Sequence, residues 1–368
     1  MRTFIALLFF TVLSCNTIEK TPLEAALSSE NEKIRMVMDN PEKYEVQILY
    51  TEVSNGIDNS INFKDYSFQV DDSTYFYPAS TVKFPIAALA LEKMNEQNIV
   101  NRNSKFYIEG DSIESTFAKE IEKIFAVSDN DAYNKLFEYL GQDDINKRLN
   151  SKGIRSRISH RLSVENSDEI TTKPIVFYID DSTTTTSLEI INEPIKKLQL
   201  KRMLKGVGYM EGDSLMKEPK DFSKKNYMPL TSLHNMMKQL LFGDLYPSNM
   251  QFQLSKKDRF FLLDAMKMLP KEAGYTSDDY YDGYVKFFIY GDTKENIPDY
   301  IEIRNKVGYA YGYLTDCAYI INRKTNKEYI ITTTIHVNEN GIFNDDTYEY
   351  EKICIPFLAE LGRQLVIK

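Results

Sequence analysis

The chain of 368 residues contains only three histidines and three cysteines. They are dispersed, and neither an H-E-x-x-H nor a C-x-x-C sequence occurs, so we expect no metal site and no cofactor. A G-x-S-x-G sequence is also absent. His160, His234 and His336 stand beside no recognisable nucleophile, which argues against a Ser-His-Asp hydrolase.

The chain also lacks an excess of basic residues. Its 45 Lys and Arg residues stand against 54 Asp and Glu residues, which gives a formal net charge of −9. This balance argues against nucleic acid or an anionic membrane surface as the main partner. The hydrophobic content of 42% and charged content of 27% are typical of a soluble globular protein rather than of a disordered one.

After the first fifteen residues no apolar run is long enough to span a bilayer, which requires roughly eighteen residues. Residues 4–13 are apolar, follow a single arginine and lead into V-L-S-C at residues 12–15. This end resembles a bacterial lipobox, which implies removal of residues 1–14 and acylation of Cys15. We therefore expect an exported protein that a lipid alone anchors to a cell-envelope membrane, with residues 15–22 as a tether. An ordinary secretory leader that happens to contain a cysteine is the alternative.

The order of elements predicts an α/β chain of the α+β type, with one antiparallel sheet built from both chain ends. We expect strands at 44–53, 66–70, 301–306, 314–322 and 329–337, and helices at 23–38, 80–94, 114–125, 129–140, 231–242, 256–268 and 347–365. A helical middle between strand-rich ends indicates a helical lobe inserted into a sheet lobe.

The expected folded domain spans residues 23–368. Its sheet lobe would cover about 23–78 and 285–368, and its helical lobe about 79–284, with an irregular insertion at about 163–228. Cys317 and Cys354 remain after the leader, and the sequence allows either a disulfide between them or two buried thiols.

Ser80 and Lys83 are the residues best placed to carry chemistry, because they open a long apolar helix. Residues i and i+3 share one face of a helix, so a hydroxyl and an amine can meet there. A helix N-terminus favours negative charge, and a desolvated lysine loses its proton readily, which together activate a serine. A second S-x-x-K at Ser214 and Lys217 lies in the irregular insertion, so we favour the first. Taken alone, Ser80 could equally be a helix cap beside a solvated lysine.

Two further motifs follow in order. S-D-N occupies residues 128–130, and Lys306, Val307 and Gly308 form the single Lys-x-Gly of the chain, on a predicted strand. S-x-x-K, S-D-N and K-T-G in this order are the motifs of class A β-lactamases and penicillin-binding proteins. The chain resembles this superfamily, its class A branch in particular, over most of its length after residue 23 except the 163–228 segment.

The resemblance implies a catalytic role for four residues. Ser80 would attack the acyl carbon of the substrate, and Lys83 would help to deprotonate it. Ser128, supported by Lys306, would pass a proton to the leaving nitrogen.

The resemblance also implies the substrate contacts. Asn130 would hydrogen-bond both Lys83 and a substrate amide, and Gly308 and Tyr309 would belong to the strand that binds the substrate. The backbone N–H groups of Ser80 and Tyr309 would form the oxyanion hole.

The chain departs from the family pattern at two places. Val307 stands where the family usually has a hydroxyl that helps to hold a substrate carboxylate, and valine cannot donate that hydrogen bond; Arg304 is a candidate replacement. No Glu-x-x-Leu-Asn follows the H-R-L-S of residues 160–163, so a glutamate that activates the deacylating water is not evident. Glu165 and Glu169 are the nearest candidates for this role, although both have the character of surface carboxylates. Of the two, we retain Glu165 as the candidate catalytic residue.

These observations predict a monomeric serine hydrolase that acts on a small-molecule β-lactam or a peptidoglycan-type acyl substrate. The alternatives are a penicillin-binding enzyme, D-Ala-D-Ala peptidase or esterase that deacylates slowly, and a low-turnover binding protein of the cell envelope.

Overall fold

The computed structural model describes residues 19–58, 60–111 and 113–368. The expected leader and Cys15 lie outside them. The helices are α1 (Pro22–Leu27), α2 (Glu32–Met38), α3 (Lys83–Gln97), α4 (Phe117–Ala126), α5 (Asn130–Leu140), α6 (Gln142–Ser151), α7 (Leu230–Leu241), α8 (Lys256–Lys267), α9 (Phe287–Tyr290) and α10 (Ile355–Val366). Among the helices of the described residues, none is long and apolar enough to cross a membrane.

The strands range from two to ten residues in length. They are β1 (Gln47–Asn55), β2 (Ile61–Phe68), β3 (Lys105–Ile108), β4 (Ser115–Thr116), β5 (Thr171–Thr172), β6 (Ile175–Tyr178), β7 (Thr184–Thr186), β8 (Ile190–Ile191), β9 (Leu204–Lys205), β10 (Gly208–Glu211), β11 (Ser214–Met216), β12 (Lys220–Asp221), β13 (Ile301–Ala310), β14 (Tyr313–Asn322), β15 (Lys327–His336) and β16 (Ile342–Phe343).

The main sheet has five antiparallel strands in the order β13-β14-β15-β1-β2. Both chain ends therefore contribute to it, which confirms the predicted fold class. Strands β14 and β15 are buried along nearly their whole length because both faces of the sheet are covered. Strand β13 is an edge strand, so its outer side is free to form one wall of a site.

Helices cover the two faces of the sheet. On one face α1, α2 and α10 pack through residues such as Ile34 and Phe357. On the other face the sheet meets a larger core that includes α3, α4, α5, α7 and α8. Cys317 belongs to the second core and Cys354 to the first, and both are buried and free, so the structure contains no bond between them.

Helix α3 runs through the centre of the helical part of the molecule. All of its residues from Lys83 to Glu92 are buried, as expected of a helix that is apolar around its circumference. Helices α4, α5 and α6 pack around it. The beginning of α3 is therefore a rigid point, and the S-x-x-K motif lies there.

The sequence-based boundaries are wrong at the first helix and the second strand. The expected helix at 23–38 is two helices, because Asn31 caps α2 by accepting a hydrogen bond from the backbone N–H of Lys33. The expected strand at 66–70 is the longer β2, whose register with β1 begins at Ile61.

Corrections also apply in the middle and at the end of the chain. Helix α6 was not predicted, and the 163–228 segment is not irregular throughout but carries short strands, β5 to β12. The expected helix at 114–125 begins at Phe117, because Thr116 caps α4. The expected C-terminal helix at 347–365 begins only at Ile355, after a single π turn at Tyr350–Cys354.

Candidate active site

Ser80 lies in a tight turn at the start of the central helix. Residues Ala79–Val82 form a 3₁₀ turn that continues directly into α3. Ala79 adopts φ +47°, a left-handed conformation that costs a non-glycine residue about 1–2 kcal/mol. The surrounding residues 75–79 are buried while Ser80 is half-buried, so the fold presents this hydroxyl to a cleft.

Lys83 is fully buried beneath Ser80. Its Nζ donates to Oδ1 of Asn130 over 2.7 Å, to Oγ of Ser128 over 3.3 Å and to the carbonyl oxygen of Ser128. None of these acceptors is charged, so burial lowers the pKa of Lys83 to about 7, with the charge of Asp129 acting in the opposite direction. Among the hydrogen bonds of the described residues, none joins Lys83 to Ser80.

The S-D-N motif is the junction between α4 and α5. Ser128 adopts φ +57°, and Asp129 caps α5 by accepting a hydrogen bond from the N–H of Ala132 over 2.8 Å. The cap fixes the direction of the neighbouring side chains. Asn130 accepts from Lys83 and donates through Nδ2 to Oγ of Ser163 over 2.9 Å.

Lys306 approaches the same serine from the sheet. It lies on β13, is buried, and donates through Nζ to Oγ of Ser128 over 2.8 Å and to the carbonyl oxygen of Val307 over 2.7 Å. Burial, and then the positive charge of Lys83, hold the pKa of Lys306 well below its usual value. Two lysines therefore converge on one hydroxyl.

Gly308 allows the edge strand to lie against the Ser80 turn. A Cβ at Gly308 would lie 2.6 Å from the backbone nitrogen of Thr81, and 2.7 Å from the carbonyl oxygen of Pro78 and from the backbone nitrogen of Ser80. Backbone atoms cannot move aside as a flexible side chain can, so only glycine permits this approach.

A cleft of about 560 Å³ opens above this turn. Its walls are lined by Tyr77, Ala79, Ser80, Asn130, Leu162, Ser163, Tyr309, Ala310, Tyr311, Asn344, Asp346, Tyr348 and Tyr350. Three of the expected site residues, Ser80, Asn130 and Tyr309, are among them, while Lys83 and Lys306 lie buried below. Residues 344–350 also contribute to the cleft, which was not predicted because no sequence motif singles them out.

Two expected features lie elsewhere. Glu165 is exposed and does not line the cleft, although the loop that carries it supplies Leu162 and Ser163. Val307 is buried in the core beside α10 and does not line the cleft either. Arg304, the candidate replacement, pairs with Glu302 over 2.6 Å.

The second S-x-x-K lies away from this site. Ser214 is on β11 rather than on a helix, and both Ser214 and Lys217 are exposed. Residues three apart on a strand point to opposite faces, so the pair cannot act together. In the described part of the chain, no group of three His, Cys, Asp or Glu residues is arranged to hold a metal ion.

Comparison with known sequences gives a match to a family model but no match to a curated protein. The sequence model described as the beta-lactamase enzyme family matches residues 31–254, which include Ser80, Lys83 and the S-D-N motif and end before Lys306. No curated protein matches the chain.

Two solved structures resemble the fold. A β-lactamase from Burkholderia ambifaria superposes with a TM-score of 0.51 at 13% identity, covering 88% of this chain and 95% of its own. A mutant of PBP-A, in an acyl-enzyme complex with penicillin G, superposes with a TM-score of 0.52 at 13% identity, covering 94% of each chain. At this identity the likeness establishes a common fold.

Proposed function

The chain belongs to the beta-lactamase enzyme family, and from this premise we propose that it is a serine hydrolase that forms an acyl-enzyme at Ser80. One observation carries the proposal: Lys83 and Lys306 converge on Ser128 beneath the cleft that Ser80 lines. The proposed substrate is a β-lactam or a related amide such as a peptidoglycan-type peptide.

In the acylation step, the neutral amine of Lys83 takes the proton of Ser80 while Oγ of Ser80 bonds to the acyl carbon. The pKa of Lys83, lowered by burial to about 7, supports this role because the base must be unprotonated near neutral pH. Catalytic hydrogen bonds are often absent before substrate binds, so the lack of a Ser80–Lys83 bond in the free protein does not oppose the step. The N–H groups of Ser80 and Tyr309 are the proposed donors to the oxyanion.

In the second half of acylation, the bond between the acyl carbon and the leaving nitrogen breaks. Ser128 gives its hydroxyl proton to that nitrogen and regains a proton from Lys83, which holds the one taken from Ser80. The 2.8 Å hydrogen bond from Lys306 supports this relay, because it stabilises negative charge on Oγ of Ser128 as the proton leaves.

Release of the acyl group distinguishes the two candidate functions. Water must attack the ester at Ser80, and a β-lactamase needs a base beside that water. Glu165 is exposed and outside the cleft, and the single carboxylate among the lining residues is the exposed Asp346. This favours, as a second candidate, an enzyme of the penicillin-binding or peptidase type whose acyl-enzyme persists.

The test is covalent labelling followed over time by intact mass. The mature protein is incubated with a fluorescent penicillin and, separately, with an uncharged fluorophosphonate that reacts with activated serines. We expect a Ser80 adduct with the phosphonate that Ser80→Ala abolishes and the matched control Ser214→Ala preserves. Failure of the phosphonate to label Ser80 would overturn the proposed function. A penicillin adduct that persists indicates the slow enzyme, and one that disappears indicates a β-lactamase.

We also propose that the protein is exported and lipid-anchored through Cys15. The test is incorporation of a labelled fatty acid during expression in bacteria. We expect incorporation that Cys15→Ala abolishes and that Cys354→Ala leaves intact, whereas incorporation independent of Cys15 contradicts the anchor.

A further inference from the structure

The side chains that line the cleft carry an unusual distribution of charge for a site expected to hold a carboxylate. None of the lining residues, all within the described part of the chain, is Lys, Arg or His. The one ionisable acid among them is Asp346, and the remainder are tyrosines and small or neutral side chains. A bound carboxylate would therefore meet a like charge and no cation at the surface of the cleft.

The two catalytic lysines do not supply the missing cation. Lys83 and Lys306 are buried under the floor, and their amines already donate to Ser128, Asn130 and the carbonyl oxygen of Val307. Burial lowers the pKa of both amines. Their N–H groups are already hydrogen-bonded within the protein, so these two amines are poor hydrogen-bond donors to an anionic group of the substrate.

Two cations outside the lining, Arg304 and Lys220, also have partners within the protein. Arg304 pairs with Glu302 over 2.6 Å. The Nζ of Lys220 lies over the ring of Tyr209 at 4.7 Å and over the ring of Tyr311 at 5.3 Å. Tyr311 therefore already has a cation over its ring, which shows that a tyrosine of the cleft can attract one.

Tyr309, Tyr348 and Tyr350 line the cleft together and form a tyrosine wall. The ring centroids of Tyr309 and Tyr350 are 5.3 Å apart, and those of Tyr348 and Tyr350 are 5.5 Å apart. The hydroxyl of Tyr350 accepts a hydrogen bond from the N–H of Gly312, and that of Tyr348 from the N–H of Asn344, both over 2.7 Å. Tyr309 remains 49% exposed, so part of the wall is available to a ligand.

From these contacts we propose that the tyrosine wall and Asp346 form a subsite for a positively charged group, such as an amine or a quaternary ammonium, on the acyl substrate. Ring faces and a carboxylate both attract cations, and both repel the carboxylate that an ordinary penicillin carries. Asp346 is the specificity-determining residue of this subsite. The inference rests on the proposed function, because it names the substrate class of the same cleft.

The test uses three fluorophosphonates that differ only at the end of one arm, which carries trimethylammonium, the uncharged isostere tert-butyl, or carboxylate. The rate of Ser80 labelling is measured for each by intact mass. We expect the cationic probe to react roughly tenfold faster than the neutral one, the size expected of one cation–π contact with one nearby charge. The carboxylate probe should react more slowly than the neutral one.

Amino-acid substitutions test which residues cause the difference between the cationic and the neutral labelling rates. Asp346→Asn and Tyr348→Leu should each reduce the ratio of the cationic to the neutral rate, while Asp244→Asn, which removes the same charge from an exposed position away from the cleft, should not. High salt should reduce the part of the ratio that depends on Asp346, because an exposed charge is screened.

Equal labelling rates for the three probes would overturn the subsite. So would a carboxylate probe that reacts fastest and that reacts more slowly with Lys220→Gln. Either result would leave the proposed function intact. If no probe labels Ser80, both fail. A ratio that is unchanged in both Asp346→Asn and Tyr348→Leu also overturns the subsite.

Discussion

Lys306 Nζ lies 2.8 Å from Oγ of Ser128, although 178 residues separate the two along the chain. The contact joins the edge strand of the sheet to the junction of α4 and α5, and so ties the two parts of the molecule at the point where chemistry is expected. A hydroxyl held between two buried lysines can pass a proton with little rearrangement, because both neighbours are hydrogen-bond donors in fixed positions.

Lys306→Met should therefore slow acylation by an amide or a β-lactam by about 10²-fold or more. It should slow acylation by an activated ester much less, because a good leaving group needs no proton from Ser128. Both rates are measured as adduct formation at Ser80. Lys217→Met, which removes an exposed lysine, is the control and should change neither rate. Equal losses with both substrates would argue against the relay.

The pH dependence of acylation should report the Lys83 amine. Burial lowers the pKa of Lys83 to about 7, and only the unprotonated amine can accept the proton of Ser80. The rate of labelling by a neutral probe should therefore rise as the pH increases through about 7 and then level off. Lys83→Met should lose most of the rate, and with it this rise. A wild-type rate that is flat or falling between pH 6 and pH 8 contradicts Lys83 as the base.

Glu165→Gln should leave the lifetime of the acyl-enzyme unchanged. The side chain is exposed and lies outside the lining of the cleft, so we expect it not to activate a water beside the Ser80 ester. The lifetime is measured as the decay of the penicillin adduct by intact mass. Glu169→Gln, at the other exposed candidate, is the matched control. A tenfold longer lifetime in Glu165→Gln alone would restore this glutamate as the deacylating base.

The positions of the S-x-x-K and S-D-N motifs in the fold were predictable because their physical requirements are local. Ser80 and Lys83 share the first turns of one buried helix, and Asp129 caps α5, so spacing together with the helix context favoured both placements. The convergence of Lys306 on Ser128 was not local, since it depends on a sheet assembled from both chain ends. Only the resemblance in motif order anticipated it.

The tyrosine wall could not be found from the sequence. The chain has 25 tyrosines, so residue type does not distinguish Tyr348 and Tyr350 from the others. Their segment also carries helical periodicity, and the prediction of a helix at 347–365 missed the π turn that places Tyr350 at the cleft. The loss of a hydroxyl at Val307 was visible in the sequence, but its burial in the core depends on the pairing of β13 with its neighbours.

Gly308→Ala should slow acylation because it displaces β13 from Ser80, and not because it removes a reacting group. The added Cβ would lie within 2.7 Å of three backbone atoms of the Ser80 turn, so β13 must move away from Ser80. A displacement of about 1 Å at a reacting centre costs about 10² in rate. The free energy of unfolding should fall by about 1–3 kcal/mol, as for other overpacked sites. Urea denaturation and phosphonate labelling measure the two effects. A variant with normal labelling would show that the strand and the turn need not touch.

His234 should make the protein sensitive to acid. Its ring lies buried between the hydroxyls of Thr51 and Thr332, each 2.8 Å away, and burial, followed by the charge of Lys238, lowers the pKa of His234 to about 3.

The unfolded chain binds a proton at this histidine near pH 6.5, whereas the folded protein does not until about pH 3. The unfolded state therefore holds more protons between these values, and the unfolding free energy should fall as the pH decreases, by about 1.4 kcal/mol per pH unit from this group. His234→Gln keeps a hydrogen-bonding side chain but does not titrate. It should make the decrease between pH 6 and pH 4 in urea denaturation less steep than in the wild type, and should leave the part due to His160 and His336, whose pKa values burial lowers to about 4. If the two proteins lose stability in parallel over this range, the acid sensitivity has another source.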